Sequence, residues 1–181
     1  MSTTRSICTV VRSSYCSPQS LWDCKVITSF QESRELITLT FRGLHSETPF
    51  HQDLDALYRV VASEFTLTID TDIVFQEVGF PVLELANALD SWLRSDVRRE
   101  FSFEPTGYIE PAFRIYPRDN GWTIVSCQRA DTSWPVETLY LETIIKRFLK
   151  ELADACLTLN LDLDGLLARM RQYSIANAVR P

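Results

Sequence analysis

The residues here whose types and spacing could do chemistry are few. The first are Asp70 and Asp72, in "TIDTDIVF". Read as a strand, that stretch sets both carboxylates on one face, about 7 Å apart. Paired carboxylates of this kind can bind Mg²⁺, with Glu100 or Glu104 as further ligands and His51 completing a metal-dependent hydrolase. The competing readings are a solvent-facing strand whose charges discourage edge-to-edge aggregation, and a surface for a partner. "HSETPFH" holds His45 and His51 six apart in a polar connection, where Glu47 or Asp53 would have to complete a metal site. "NLDLDG" imitates the start of a calcium loop through Asn160, Asp162, Asp164 and Gly165. Its twelfth position falls on Arg171 where such a loop needs a bidentate Glu, so a helix start capped by Asp162 or Asp164 is the better reading.

Other chemistry is not encoded locally. The glycines stand alone, and no phosphate-cradling loop, nucleophile elbow or zinc-protease helix motif occurs. No cofactor and no metal is expected. Five cysteines, at 8, 16, 24, 127 and 156, include no Cys-x-x-Cys clamp and read as free or buried thiols in a reducing compartment. Tyr108, in "EPTGYIEP", and Trp134, in "DTSWP", stand beside turn residues and read either as exposed aromatics suited to a protein interface or, just as often, as lids on a core.

Charge is the stronger signal. The chain of 181 residues carries a net −6, but residues 51–110 hold twelve acids and four bases, a net −8 against +2 for the remainder. An acidic face aids solubility and also attracts a basic partner. Nucleic acid is disfavoured as a ligand, because phosphate binding needs clustered Lys and Arg. The one basic cluster, Lys146, Arg147 and Lys150, fits one face of a helix. The N-terminal apolar stretch is too short for a signal peptide and no segment is long enough to span a membrane, so a cytoplasmic protein is expected.

The elements that must position these residues follow from periodicity. "ELITLTF" (35–41) alternates as a strand, and 57–75 reads as one long or two consecutive strands, after which "GF" marks a turn. From Pro81, a helix carries Val82, Leu85, Ala86, Leu89, Trp92 and Leu93 as a core stripe, with Asn87, Asp90, Ser91 and Arg94 opposite. "EFSFEP" turns Phe101 and Phe103 one way. "AFRIYPRDNGWTIVSC" is a hairpin about Asn-Gly, with Phe113 and Ile115 in one arm and Trp122, Ile124 and Ser126 in the other. Residues 135–173 read as two helices. The sum is an α+β fold, an antiparallel sheet covered on one face by helices, in a single domain over 1–181 with 1–20 as an irregular N-terminal segment.

The succession "DTDIVFQEVGFPVLELANALDSWL", "EFSFEPTGYIEP" and "AFRIYPRDNGWTIVSCQ" resembles small bacterial proteins encoded as immunity partners of polymorphic toxins, including contact-dependent and secretion-system effectors. The resemblance covers about a third of the chain and carries no invariant motif. It implies a non-enzymatic protein that binds a cognate toxin and occludes its active site. The acidic middle third, and not the resemblance, places the toxin-binding surface at Asp70, Asp72, Glu100, Glu104, Tyr108 and Glu110, facing a basic partner. A protein-binding adaptor with an unrelated partner is the first alternative. The hydrolase using Asp70, Asp72 and His51 is the second. A hydrolase needs its carboxylates gathered in a cleft, whereas an inhibitor needs them spread over a flat or convex surface.

Overall fold

The computed structural model describes residues 36–46 and 60–178. The expectations for 1–20, for His51 and for Cys8, Cys16 and Cys24 lie outside them. Three strands, β1 (Ile37–Ser46), β2 (Val60–Ile69) and β3 (Asp72–Phe80), form one antiparallel sheet in that order. Four shorter ones, β4 (Phe101–Phe103), β5 (Phe113–Arg118), β6 (Gly121–Ser126) and β7 (Trp134–Val136), form a second, also antiparallel and in chain order. Helix α1 (Val82–Arg94) links the sheets, and α2 (Thr138–Cys156) and α3 (Leu163–Ala178) follow them. The class is α+β, with the strands divided between two sheets where the periodicity suggested one.

The first sheet is longer and more bent than its alternation implied. β1 continues through "RGLHS", so His45 sits on a strand rather than in a connection. Buried positions change phase midway: Ile37, Phe65, Leu67 and Ile69 lie on one side of the change, Val60 and Ala62 on the other. The change falls where Gly43 (φ 58°) faces Ser63, and Gly79 (φ 68°) makes the matching kink in β3. A Cβ at Gly43 would stand 2.6 Å from the Ser63 hydroxyl oxygen, so glycine is needed there for space as well as for φ. "GF" is therefore a kink inside β3 and not a turn, and it delivers Phe80 to the core. Opposite Leu67 and Thr68 the register slips by one, leaving Val74 as an extra, buried residue of a bulge.

One apolar core serves both sheets, and aromatic rings make its continuity visible. Phe148 of α2 meets Phe41 and Phe65 edge-on at 6.0 and 6.1 Å, seating α2 on β1 and β2. Phe65 stacks on Phe80 at 4.4 Å, Phe80 touches Phe103, and Phe75 touches Phe113, so β3 carries the packing into the second sheet. Trp92 of α1 ends the chain of rings against Phe101 and Trp122. Such pairs add roughly 0.5–1.5 kcal/mol each beyond their buried area.

The α1 stripe buries as its spacing predicts, with Leu93 half-buried and Leu83 also inside. Asp90, placed by periodicity on the polar side, is buried at 7% exposure because α3 packs over that side. Phe101, Phe103, Phe113, Ile115, Trp122, Ile124 and Ser126 all face inward as the two strand patterns require. "SWPV" is not helical: Trp134 to Val136 form edge strand β7, where Pro135 faces no further strand and its missing N–H is harmless. Trp134 is buried, not the exposed aromatic its neighbours suggested. Gly121 closes the same corner, since a Cβ there would run into the Val136 carbonyl. Helix α3 begins as expected, with Asp162 Oδ1 accepting the Gly165 N–H at 3.0 Å.

Candidate interaction surface

Asp70 and Asp72 do not share a strand face. Asp70 and Thr71 form the two-residue loop joining β2 to β3, with Ile69 paired to Asp72 across it. Asp70 takes the left-handed backbone (φ 55°) that such loops demand and that Asp tolerates better than most residues. Its Oδ1 accepts the Leu36 N–H at 2.7 Å, and its own N–H donates to the Leu36 carbonyl at 2.8 Å. This carboxylate fastens the start of β1 to the hairpin. Asp72 is exposed at the first position of β3, and its carboxylate makes no hydrogen bond or ion pair among the described residues.

Glu100 and Glu104 bracket β4, whose alternation sends Phe101 and Phe103 inward and Ser102 outward. Ser102 pairs with Arg114 of β5, which brings that guanidinium near both carboxylates. Arg114 donates to the Tyr116 hydroxyl at 3.1 Å. This bond first, and the two glutamates after it, hold its pKa above the ordinary value. Part of the negative field of Glu100 and Glu104 is thus answered within the protein.

The connection over residues 104–112 is braced on every side. Glu84, in the first turn of α1, accepts both the Thr106 N–H (3.1 Å) and the Thr106 hydroxyl (3.0 Å). Tyr108 N–H closes a four-residue turn on the Pro105 carbonyl at 3.0 Å, and Gly107 supplies its positive φ of 91°. The Ala112 N–H, bonded to the Phe103 carbonyl at 2.8 Å, closes the base. Tyr108 is half-buried, with the Glu77 carboxylate of β3 beside its hydroxyl. Burial first, then that neighbouring carboxylate, raise its pKa, so it stays a neutral strut. Ile109, next in sequence, is fully exposed at 101%. Sequence reasoning passed over it, because a single apolar residue between Tyr108 and Glu110 breaks no periodic pattern.

The same seam joins the two sheets. The 3₁₀ turn Cys127–Arg129 follows β6 and presents Gln128, whose side-chain amide reads the open edge of β3. Its Oε1 accepts the Gln76 N–H at 3.0 Å and its Nε2 donates to the Gln76 carbonyl at 2.8 Å. These two bonds block β3 at that point against an added strand. Cys127 lies beside Glu77 and Glu110. Desolvation and then the Glu77 charge raise its pKa, so at neutral pH the thiol is kept from the reactive thiolate even though the residue as a whole is exposed. Cys156 is buried and pushed up to about 12 by desolvation.

Much of the acidic third is already matched. Glu64 faces Arg42 and accepts from Gln76. Asp90 accepts Arg94 Nε at 2.9 and 3.1 Å and Arg171 at 2.6 Å. Asp72, Asp96 and Glu110 remain exposed without ion pairs among the described residues. On α2 the expected basic face is laced by Lys146–Glu142, Arg147–Glu151 and Lys150–Asp154. Ser63 and His45 come within 3.4 Å, but the Ser63 hydroxyl donates to the Gly43 carbonyl at 2.9 Å and the ring Nδ1 also faces that oxygen at 3.0 Å. The pair serves the Gly43 kink rather than a nucleophile. No group of three or more metal-ligating side chains converges among the described residues. No helix among them is long and apolar enough to cross a membrane.

The six candidate residues therefore fall into different segments: the β2–β3 loop and the first position of β3, the flanks of β4, and the 104–112 connection. Asp72 and Glu77, the residue that Tyr108 contacts, stand five positions apart on β3, roughly 15 Å along the strand.

The chain belongs to the family described as Domain of unknown function (DUF7878), whose model matches residues 37–157. That span runs from the first residue of β1 to the residue after α2. It holds both sheets and all six candidate residues, and leaves α3 beyond its end. Comparisons with curated proteins and with solved structures return no match.

Proposed function

We propose that this chain is a cytoplasmic binding protein rather than an enzyme, an immunity protein that neutralises a cognate bacterial toxin. In this reading its acidic surface covers a basic active-site cleft and excludes the substrate by steric occlusion. The observation that carries the reading is the division of Asp70, Asp72, Glu100, Glu104, Tyr108 and Glu110 among the β2–β3 hairpin end, the flanks of β4 and the connection to β5, with no group of three or more metal-ligating side chains converging among the described residues. A catalytic set would gather in one cleft. The hydrolase reading loses its support at Asp70, whose carboxylate is engaged by the Leu36 amide. Exposed carboxylates such as Asp72 and Glu110 would steer a basic partner and speed its association, which weakens as salt screens the charges.

The test is co-expression with the product of the adjoining reading frame. That product is expected to arrest growth alone and to be tolerated with this chain present. If it is harmless alone, or if its toxicity persists, the immunity reading fails. Binding without relief of toxicity would leave an adaptor. Association rates should fall several-fold between about 50 and 500 mM salt. Rates indifferent to salt would remove the electrostatic part of the mechanism.

A further inference from the structure

We infer that the 104–112 connection is the anchor of the interface, with Ile109 entering an apolar socket rimmed by Lys and Arg on a protein partner. This rests on the binding role proposed above and deepens it.

A lone exposed isoleucine ordinarily needs no explanation. Leu36, Val78, Val97, Leu139 and Leu157 are also exposed here, at 60–79%. Two things set Ile109 apart. It is the most exposed of them, at 101%, so it gives up all of its contact area to solvent. It also sits on a segment held on both sides: Glu84 of α1 holds Thr106, while the Phe103 carbonyl and the Cys127 N–H hold Ala112, and Glu77 of β3 lies beside Tyr108 between them. A loop built only to join β4 to β5 does not need such bracing around an apolar tip. Binding costs ordering entropy, and a segment already held in place avoids most of that cost.

The chemistry of the occupant follows from the surroundings. An apolar tip of this size matches a pocket that takes one aliphatic side chain and becomes dry on docking, the usual centre of an interface. Glu110 follows Ile109 directly, exposed and without an ion pair among the described residues, and Glu104 opens the connection. Carboxylates beside the tip match Lys and Arg around the socket and repel an acidic one. They equally repel nucleic acid and anionic lipid. Tyr108, expected from its type to be the contact residue, instead serves as the strut that aims Ile109.

The experiment titrates the purified product of the adjoining reading frame with the wild-type chain, Ile109→Asp, Glu84→Ala and Val97→Asp. Val97→Asp puts the same charge on an exposed apolar residue of the α1–β4 connection. Ile109→Asp should weaken binding at least tenfold while its melting temperature matches the wild type. Glu84→Ala, which frees the loop with Ile109 intact, should weaken it several-fold, and Val97→Asp should leave it unchanged. If the wild-type chain binds and Ile109→Asp binds equally well, the anchor is overturned and the binding role stands. Equal losses in Ile109→Asp and Val97→Asp also overturn it, since the effect is then one of charge and not of place. If the wild-type chain does not bind, the binding role falls and takes the anchor with it. Binding of the wild-type chain to phosphatidylcholine vesicles, lost in Ile109→Asp, would overturn the protein socket in favour of lipid.

Discussion

Asp90 should act as the clamp that holds α3 on α1, and its removal tests how the C-terminal helix is attached. Its side chain is 10% exposed and accepts three hydrogen bonds, two from Arg94 and one from Arg171, eighty-one positions away. The partners differ in worth. Arg94 is 61% exposed and lies one turn along the same helix, a geometry worth about 0.3–0.5 kcal/mol. Arg171 is 33% exposed and bonds at 2.6 Å, and a charge-assisted bond with that shelter contributes roughly 1–2 kcal/mol after allowance for screening. Asp90→Ala removes both and leaves two guanidinium groups facing a vacated, half-dry site. We expect a loss of about 2–3 kcal/mol, or roughly 5–10 °C in melting temperature for a chain of this length. Urea denaturation of Asp90→Ala, Arg171→Met and the double variant would give a coupling energy of about 1–2 kcal/mol, against less than about 0.5 kcal/mol for Asp90 with Arg94. Amide hydrogen exchange should speed up in α3 before it does in the strands. A coupling below about 0.5 kcal/mol for Asp90 with Arg171, or unchanged exchange in α3, would refute the clamp.

Glu142 accepts from Arg98 and Lys146, and the Arg98 bond in particular holds its pKa below the usual carboxylate value. A lowered pKa contributes stability that is present above the unfolded value, near 4.5, and is lost as the pH falls through the folded one. Glu142→Gln should therefore be less stable than the wild type at pH 7, with the gap closing below about pH 4 in denaturant titrations. Gly121→Ala should cost about 1–3 kcal/mol, because the new Cβ meets the Val136 carbonyl, which cannot move without opening β6 from β7. Denaturation would give the loss, and the near-ultraviolet dichroism of Trp122 and Trp134 should weaken with it.

Local pattern set most of the elements. The i, i+3, i+4 stripe of "VLELANALDSWL" can bury only as a helix, and the alternation of Phe101 with Phe103 and of Phe113 with Ile115 can bury only as strands. The β5–β6 hairpin and the Asp162 cap were legible because backbone geometry and side-chain type meet within four residues, although the two-residue turn falls on Asp119 and Asn120, with Gly121 already in β6, and not on Asn-Gly. Local pattern misjudged what distant segments decide. Asp90 looked like a solvent-facing residue until α3 covered it, and Trp134 looked exposed until its strand paired with β6. Asp70 looked like one of two carboxylates on a solvent-facing strand face, yet two bonds to Leu36, thirty-four positions earlier, make it a fastening.

The sequence by itself determined the α+β class, the three helices, the β5–β6 hairpin and the excess of negative charge in the middle third, because these depend on periodicity and composition. The tertiary structure alone decided which charges are free. Glu64, Glu77, Glu84 and Asp90 are matched by residues from other elements, while Asp72 and Glu110 stay exposed without an ion pair among the described residues. It alone decided that Ile109 stands clear on a braced support, because bracing comes from α1, β3 and β4 together, and no single stretch of chain contains it.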